Sequence, residues 1–269
     1  MLQTLHFQQP AMATMFEGWL VGPSIAQLRA ISQSLREEIF RLELLMSCHD
    51  PCAEISRLNR EASAKPTKVE PELLSILRIC LQGYQDTEGY FDIGYRTAAD
   101  SEKRLPERLQ LNGNRNTVSF TDPDLSLDLG GFGKGHCLDV LAQQCLEFGV
   151  TNFLLSGGNS SMLASGKQAN GEPWNIQLGT DASHLVSLMD EGFAYSAPIH
   201  PGQQHSDLVD PHTAQPAKNA QACAVWADRA ATAEIFSTAL VAMGPEAAHR
   251  FLPFLPDSIH VQLIQALPT

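Results

Sequence analysis

The stretch Leu127-Asp128-Leu129-Gly130-Gly131-Phe132-Gly133-Lys134-Gly135 limits the possible folds of this chain more than any other. An alternating apolar run leads into it as in a strand, a turn with four glycines follows, and a helical pattern then runs to Gly149. Glycine lets a backbone approach a ligand closely, and a helix start presents N–H groups that carry partial positive charge. The turn is therefore a candidate anion site, most often for phosphate, with Lys134 as an additional cation.

A purely structural interpretation of the same turn also stays open. The glycines could serve only a tight connection between strand and helix, with Lys134 in solvent and Asp128 as a helix cap. The pattern matches neither the P-loop nor the dinucleotide-binding fingerprint, so it does not decide between the two interpretations.

Composition excludes several classes of function. A net charge of −12 over 269 residues argues against nonspecific nucleic-acid binding and against anionic membrane surfaces. No window is long and apolar enough to span a bilayer, and residues 1–22 lack the pattern of a signal peptide, so we expect a cytoplasmic protein. The six cysteines form no spaced framework and are expected to be free thiols. Cys48 and Cys52, beside His49, only faintly suggest a metal site, because no second ligand pair lies nearby.

The order of predicted elements indicates an α+β fold. Helices are expected from Ser24 through Leu45, from Pro71 to Tyr84, and from Ala230 to Met243 with Gly244 as the stop. Strands are expected within 11–20, 152–155, 174–178 and 222–227, whereas 96–116 looks polar and irregular. Strands and helices do not alternate strictly, which favours antiparallel sheets covered by helices. We expect residues 1–269 to form one compact domain with two lobes.

Glu234 and Thr238 are the first candidate ligands for a metal. They lie four apart on the last predicted helix, so their side chains share a face. A carboxylate and a hydroxyl there could supply oxygen ligands to Mg²⁺, with water and phosphate as the others. The alternative is a glutamate near a helix start beside a threonine bonded to its own backbone.

Two further segments could contribute to a site. Asp207 or His205 could act as a general base if either faced the same cavity, although the segment up to Thr213 also reads as an ordinary turn. Tyr90 and Phe91 could stack on an aromatic ring, or could be the surface and core residues of one strand.

Taken in order, motifs along nearly the whole chain resemble those of the ApbE family of FAD:protein FMN transferases. The opening A-M-G-T, S-E-I-S-R-L-N and G-A-F-D of that family are similar to Ala11-Met12-Ala13-Thr14, Ala53–Asn59 and Gly89-Tyr90-Phe91-Asp92. Its D-L-G-G-I-A-K-G, G-G-N/D and G-x-P-W resemble Asp128–Gly135, Gly157-Gly158-Asn159 and Gly171–Trp174. Its D-P-R-T and A-D-A-L-A-T-A-L resemble Asp210–Thr213 and Ala233–Leu240.

The resemblance implies a fold of duplicated T-fold-like antiparallel sheets covered by helices, with FAD in a cleft and Mg²⁺ at its pyrophosphate. It implies that the metal is held by the Gly131 carbonyl, Glu234 and Thr238. The implied FAD-lining residues are Met12, His49, Tyr90, Phe91, Asp92, Asp128, Lys134 and Leu208. The implied reaction attaches FMN to a threonine or serine of a partner protein and releases AMP.

The chain departs from the family pattern at several positions. Asp207 stands where the family has its histidine base, and Glu234 replaces the metal aspartate. Alanine replaces glycine at Ala13, Ala197 and Ala214, and no lipoprotein leader is visible. We therefore expect an FMN transferase with Asp207 or His205 as the base, and keep two alternatives: a flavin-binding protein without transfer, and a pyrophosphatase that hydrolyses FAD to FMN and AMP.

Overall fold

A computed structural model describes residues 2–97, 103–177, 185–198, 208–217 and 221–265. Six α-helices occur in this part of the chain. They are α1 (Ile25–Met46), α2 (Glu54–Glu61), α3 (Pro71–Asp86), α4 (Leu105–Arg108), α5 (Gly133–Glu147) and α6 (Ala230–Phe251). No helix among the described residues is both long and apolar enough to cross a membrane.

The strands of the described residues form one large sheet and three small ones. Their bounds are β1 (Gln3–Ala11), β2 (Thr14–Gly22), β3 (Thr67–Lys68), β4 (Leu109–Asn112), β5 (Thr117–Phe120), β6 (Asn152–Gly157), β7 (Ser161–Ser165), β8 (Trp174–Gln177), β9 (Leu185–Leu188), β10 (Glu191–Ser196), β11 (Val209–Asp210), β12 (Gln215–Pro216), β13 (Gln221–Ala227) and β14 (His260–Gln265). The large sheet has seven strands in the order β1-β2-β6-β7-β10-β13-β14, and each neighbouring pair is antiparallel. The prediction of an α+β fold with antiparallel sheets is confirmed.

Alternation along the strands sends side chains to two separate cores. Leu20 and Leu155 point to the face that packs against α1, α5 and α6, whereas their neighbours Val21 and Leu154 face the other side. That second side packs against the β8–β9 hairpin, through residues such as Trp174. The helical face thus contains the larger core, and the glycine turn leads directly into α5 on this face.

Local sequence signals place most of the helices correctly. Ser24 caps α1 by accepting a hydrogen bond from the Gln27 N–H at 3.4 Å. Gly149 follows α5 with φ 78°, and Gly244 interrupts α6 with φ 73° and ψ 167°, so both glycines stand where the predicted helices stop. A second helical segment then begins at Pro245 and extends α6 beyond the predicted end.

Two expectations about local structure are wrong, and a third is correct except at its first residues. The run Leu125–Leu129 is extended but belongs to no strand, because the Asn59 side chain takes up the Leu127 N–H and carbonyl, each at 2.9 Å. The strand expected within 11–20 is confirmed as β2, which begins at Thr14, whereas Ala11 ends β1 and the chain turns at Met12 and Ala13. The region 96–116 is not simply irregular, since it contains α4 and β4 and buries the Arg108 side chain.

Candidate active site

Two neighbouring cavities flank the glycine turn and share Asp128, Gly130 and Lys134. The first, of about 340 Å³, is lined by Lys134, Glu234 and several hydroxyl groups, and we call it the charged cavity. The second, of about 560 Å³, is lined by Met12, Met46 and Cys48, and we call it the sulfur cavity. Every predicted site residue that the structure describes lines one of these two cavities.

The structure thus brings together motifs that are far apart in sequence. The charged cavity contains Tyr90, Phe91, Asp92, Asp128, Gly131, Lys134, Leu208, Glu234 and Thr238. The sulfur cavity adds Met12 and His49. The two candidate bases, Asp207 and His205, lie outside the described residues.

Gly135 allows α6 to cross closely over the start of α5. A Cβ on Gly135 would lie 2.6 Å from the Ala230 carbonyl oxygen, so any other residue would push the helices apart. Asp139 of α5 fixes the same crossing, because its carboxylate accepts the Ala230 N–H at 2.8 Å and the Ala231 N–H at 3.2 Å. These N–H groups have no partner inside their own helix. The crossing places Glu234, one turn along α6, beside the glycine turn.

Glu234 is buried, and both of its carboxylate oxygens have partners. Oε1 lies 2.6 Å from the Lys134 ammonium and accepts the Ser161 hydroxyl at 3.2 Å, while Oε2 accepts the Gly135 N–H at 2.6 Å. Lys134 is therefore not a solvated surface lysine. This excludes the part of the purely structural interpretation that placed Lys134 in solvent. The turn holds a paired positive charge that faces the charged cavity.

The oxygen ligands predicted for a metal line one wall of that cavity. Thr238 Oγ1 lies 3.4 Å from the point that a Cβ on Gly131 would occupy, so the missing side chain leaves space at the hydroxyl. Within the described residues, Thr238 donates no hydrogen bond to the backbone of its own helix, unlike Ser237, which donates to the Glu234 carbonyl at 3.2 Å. A carbonyl, a carboxylate and a hydroxyl are the donors that Mg²⁺ prefers, so these residues fit a hard divalent cation.

Asp128 connects the two cavities and is held by a positive partner. Its Oδ2 accepts from the Arg96 guanidinium at 2.6 and 2.9 Å and from the Tyr95 hydroxyl at 3.2 Å. Its Oδ1 accepts the Gly130 N–H at 2.8 Å. Burial alone would raise the pKa of Asp128, but Arg96 and the hydrogen bonds outweigh it and lower that pKa below its usual value. Asp128 therefore stays ionised at neutral pH.

Asp92 is in the opposite electrostatic situation. Its carboxyl is buried, and its Oδ1 accepts the Gly94 N–H at 2.6 Å. Burial raises the pKa of Asp92 to about 6, opposed by that N–H group and by the more distant Arg108 and His212. In the charged cavity the pKa of Asp128 is thus lowered and that of Asp92 is raised, so the two aspartates differ in how readily they take up a proton.

An aromatic wall closes the charged cavity. Phe91 is buried, and its N–H donates to the Thr87 hydroxyl at 3.0 Å. Tyr90 is partly exposed, and its ring lies 4.4 Å from that of His212, measured between centroids, in a tilted arrangement. Phe91 therefore packs in the core and also lines the cavity, whereas the Tyr90 ring is accessible to a ligand in the cavity.

The sulfur cavity is built around the turn between β1 and β2. Met12 has φ 49°, and its N–H donates to Glu43 of α1 at 2.6 Å, which directs this turn toward the helix end. Cys48 and His49 follow α1 directly. Burial and the nearby Asp128 carboxylate raise the pKa of the Cys48 thiol to about 11, so it is not a reactive thiolate.

Comparison with known proteins identifies the family. The model of the ApbE family matches residues 12–262. The chain belongs to the ApbE family. The resemblance inferred from the ordered motifs is thereby confirmed.

Individual ApbE-family relatives are distant but match over most of their length. A protein of Vibrio cholerae named FAD:protein FMN transferase is 24% identical over 91% of this chain and 83% of its own length. One of Klebsiella pneumoniae with the same name is 24% identical over 89% of this chain and 78% of its own. The solved flavin transferase ApbE from Vibrio cholerae superposes with a TM-score of 0.86 at 22% identity, covering 98% of this chain and 94% of that structure. The ApbE protein of Thermotoga maritima gives 0.82 at 21% identity, over 97% and 94%.

Two of the lost ApbE glycines fall at positions with a left-handed backbone. Ala13 has φ 55° and Ala214 has φ 53°. A non-glycine residue in this region costs about 1–2 kcal/mol. The family glycines therefore have a conformational reason, and this chain tolerates alanine in both turns.

Sequence reasoning missed several polar residues that position the site. They are Asn59, Tyr95, Arg96, Asp139 and Ser161. The only available signal was a polar residue inside an apolar pattern, as with Asp139 between Leu138 and Leu141. No spacing rule links Arg96 with Asp128, because their contact depends on the tertiary fold.

Proposed function

We propose that this ApbE-family protein is a Mg²⁺-dependent FAD:protein FMN transferase that attaches FMN from FAD to a threonine or serine of a partner protein. The observation that carries the proposal is the meeting of Lys134, Glu234 and Thr238 at the glycine turn, in one cavity. A cation, oxygen ligands and bare backbone together suit a diphosphate. The names of the Vibrio cholerae and Klebsiella pneumoniae relatives support the same reaction.

The Gly131 carbonyl, Glu234 and Thr238 would hold the metal. Bound there, Mg²⁺ would offset phosphate charge and polarise the phosphoryl group. Lys134 would bind the same diphosphate through its ammonium, which already lies on Glu234 Oε1. The carboxylate would then orient Lys134, and Gly135 and Ser161 would keep the carboxylate in place.

The remaining cavity residues would bind the rest of FAD. The Tyr90 ring and the Phe91 side chain would pack on aromatic or apolar parts, together with Leu208. Met12 and His49 would do the same in the sulfur cavity. Asp92 and Asp128 would accept hydrogen bonds from polar groups of FAD.

Asp207 or His205 would take the proton of the acceptor hydroxyl. Leu208, which follows Asp207 in sequence, lines the charged cavity. The acceptor oxygen would bond to the FMN phosphorus as the bond from that phosphorus to the AMP oxygen breaks. AMP then leaves with the electron pair, and the proton stays on the base.

One experiment separates this function from its alternatives. The purified protein is incubated with FAD, Mg²⁺ and the protein acceptor of the Vibrio cholerae relative, and then without the acceptor. A covalently fluorescent acceptor with equimolar AMP is the expected result. Free FMN and AMP in both incubations, with the acceptor unlabelled, would indicate a pyrophosphatase, and FAD that stays bound and unchanged even with the acceptor would indicate a flavin-binding protein. Either result would contradict transfer.

A further inference from the structure

We propose that Cys48, His49 and Asp128 form a zinc-binding site in the wall of the sulfur cavity. One ligand atom from each residue lies within 4.8 Å of the other two. A sulfur, an imidazole nitrogen and a carboxylate oxygen thus lie close enough together for one ion to bind all three after small side-chain movements. The site is separate from the oxygen ligands proposed for Mg²⁺, which lie on the far side of the glycine turn in the charged cavity.

The mixture of donors favours zinc over magnesium. Zn²⁺ accepts thiolate, imidazole and carboxylate ligands together, whereas Mg²⁺ requires oxygen and resists losing its water. Three protein ligands leave the fourth tetrahedral position open to water or a ligand. Cys48 is deprotonated on binding, so each ion that binds releases one thiol proton to solvent.

The segment that carries two of the ligands is held in a defined turn. The Ser47 hydroxyl accepts the His49 N–H at 3.2 Å and the Asp50 N–H at 3.1 Å. Ser56 of α2 donates to the Ser47 carbonyl at 3.1 Å, which ties the turn to the next helix. Cys48 and His49 therefore do not depend on a long loop for their position.

The ligand atoms retain the capacity to bind an ion. Within the described residues, the His49 ring makes no hydrogen bond, and the side chain is exposed, which gives an ion access. Asp128 uses Oδ2 for Arg96 and Tyr95, Oδ1 accepts the Gly130 N–H, and the Cys48 thiol also hydrogen-bonds to this carboxylate, so loss of the thiol proton on metal binding frees that position. A carboxylate has about four lone-pair positions, so Asp128 can bind an ion through one of them while Arg96 stays bound.

Zinc in this position would compete with FAD. This consequence rests on the proposed function, in which His49 and Asp128 also line the flavin site. An ion held by both side chains would occupy space in the sulfur cavity and remove one acceptor position of the Asp128 carboxylate. The transferase would then be inhibited by zinc at a site separate from its magnesium ligands.

The zinc site is tested on the metal-free full chain with Co²⁺ as a spectroscopic substitute. The wild type is expected to show a thiolate-to-cobalt absorption band that one equivalent of Zn²⁺ removes. Cys48→Ser should lose this band, and His49→Gln should weaken Zn²⁺ binding by about tenfold or more. Cys52→Ser is the matched control, since Cys52 is a neighbouring exposed cysteine outside the cluster, and it should keep both. A wild type without the band, or equal loss in Cys52→Ser, would overturn the site.

Competition is measured separately by titrating FAD with and without Zn²⁺. Zinc should weaken FAD binding by about tenfold in the wild type and in Cys52→Ser, but not in Cys48→Ser. Equal FAD affinity with and without zinc in the wild type would overturn the competition. If no FAD binds at all, the proposed function fails, while the cobalt spectrum still decides the metal site.

Discussion

The two cavities beside the glycine turn share a wall but differ in the side chains that complete it. In the charged cavity the decisive groups form a salt bridge between two helices, from Lys134 of α5 to Glu234 of α6. In the sulfur cavity the walls are thioethers and a thiol from Met12, Met46 and Cys48. Polarizable sulfur adapts to flat ligands and to soft metals, whereas buried charge selects phosphate and hard cations. The same backbone turn thus borders two cavities with chemically different linings.

The largest expected effect comes from removing the cation of the charged cavity. Lys134→Met keeps the length of the side chain but leaves Glu234 buried without its positive partner. Breaking such a pair costs about 3 kcal/mol of unfolding free energy. In the proposed function Lys134 binds the reacting diphosphate, so its loss should also lower the transfer rate by about 100-fold or more. Urea unfolding and the rate of acceptor labelling measure the two effects.

The control for this variant is Lys167→Met, at an exposed lysine. It should change the unfolding free energy by no more than about 0.5 kcal/mol. The double variant Lys134→Met, Glu234→Gln should recover part of the lost stability, because no buried charge remains. Equal stability of Lys134→Met and wild type would show that the ion pair does not distinguish this cavity.

Asp92 gives the next largest effect, and its sign depends on pH. Its folded pKa of about 6 lies above the unfolded value of about 4, so the native state binds the extra proton and wild-type stability falls as pH rises between these values. Asp92→Asn has no charge to bury and keeps an oxygen for the Gly94 N–H. We expect it to be more stable than wild type by about 2 kcal/mol above pH 7.

The difference in unfolding free energy between Asp92→Asn and wild type should shrink as pH falls from 6 toward 4. Urea unfolding of both proteins across that pH range measures it. Asp124→Asn, at an exposed aspartate, is the comparison variant. An advantage that is constant with pH would mean that burial of the Asp92 carboxylate does not cause it.

The smallest effect concerns the backbone of the sulfur cavity. Ala13→Gly removes the cost of a left-handed conformation at a residue with a side chain. Glycine also gives the unfolded chain more conformational entropy, which offsets part of this gain, so the free energy of unfolding should rise by about 0.5–1 kcal/mol. Ala30→Gly, at an exposed position inside α1, should lower stability by about 1 kcal/mol. Thermal unfolding of the two variants compares them. A loss of stability in Ala13→Gly would show that the turn carries no strain.

The sequence predicts elements that are specified locally and fails where partners come from afar. Ser24 and Gly149 act within a few residues, so the ends of α1 and α5 are correctly predicted. The alternation of Leu125–Leu129 is real, since all three leucines are buried, but the side chain of Asn59 replaces the neighbouring strand. Periodicity reports burial and cannot distinguish the two partners.

The site follows the same rule. The ordered motifs indicated which residues would lie close together in the fold. Those of them that the structure describes line the two cavities. Their pairing was not predictable, because the contact of Lys134 with Glu234 requires the helix crossing at Gly135. The same holds for Arg96 on Asp128.

The most direct test of the account is the affinity for FAD with and without Mg²⁺, in the wild type and in Glu234→Gln. The quenching of flavin fluorescence on binding measures this affinity. If the glycine turn and α6 hold a diphosphate through a divalent ion, Mg²⁺ should tighten FAD binding by about tenfold or more in the wild type and leave Glu234→Gln unchanged. FAD binding that is independent of Mg²⁺ in the wild type, or equally dependent on it in both proteins, would contradict the account.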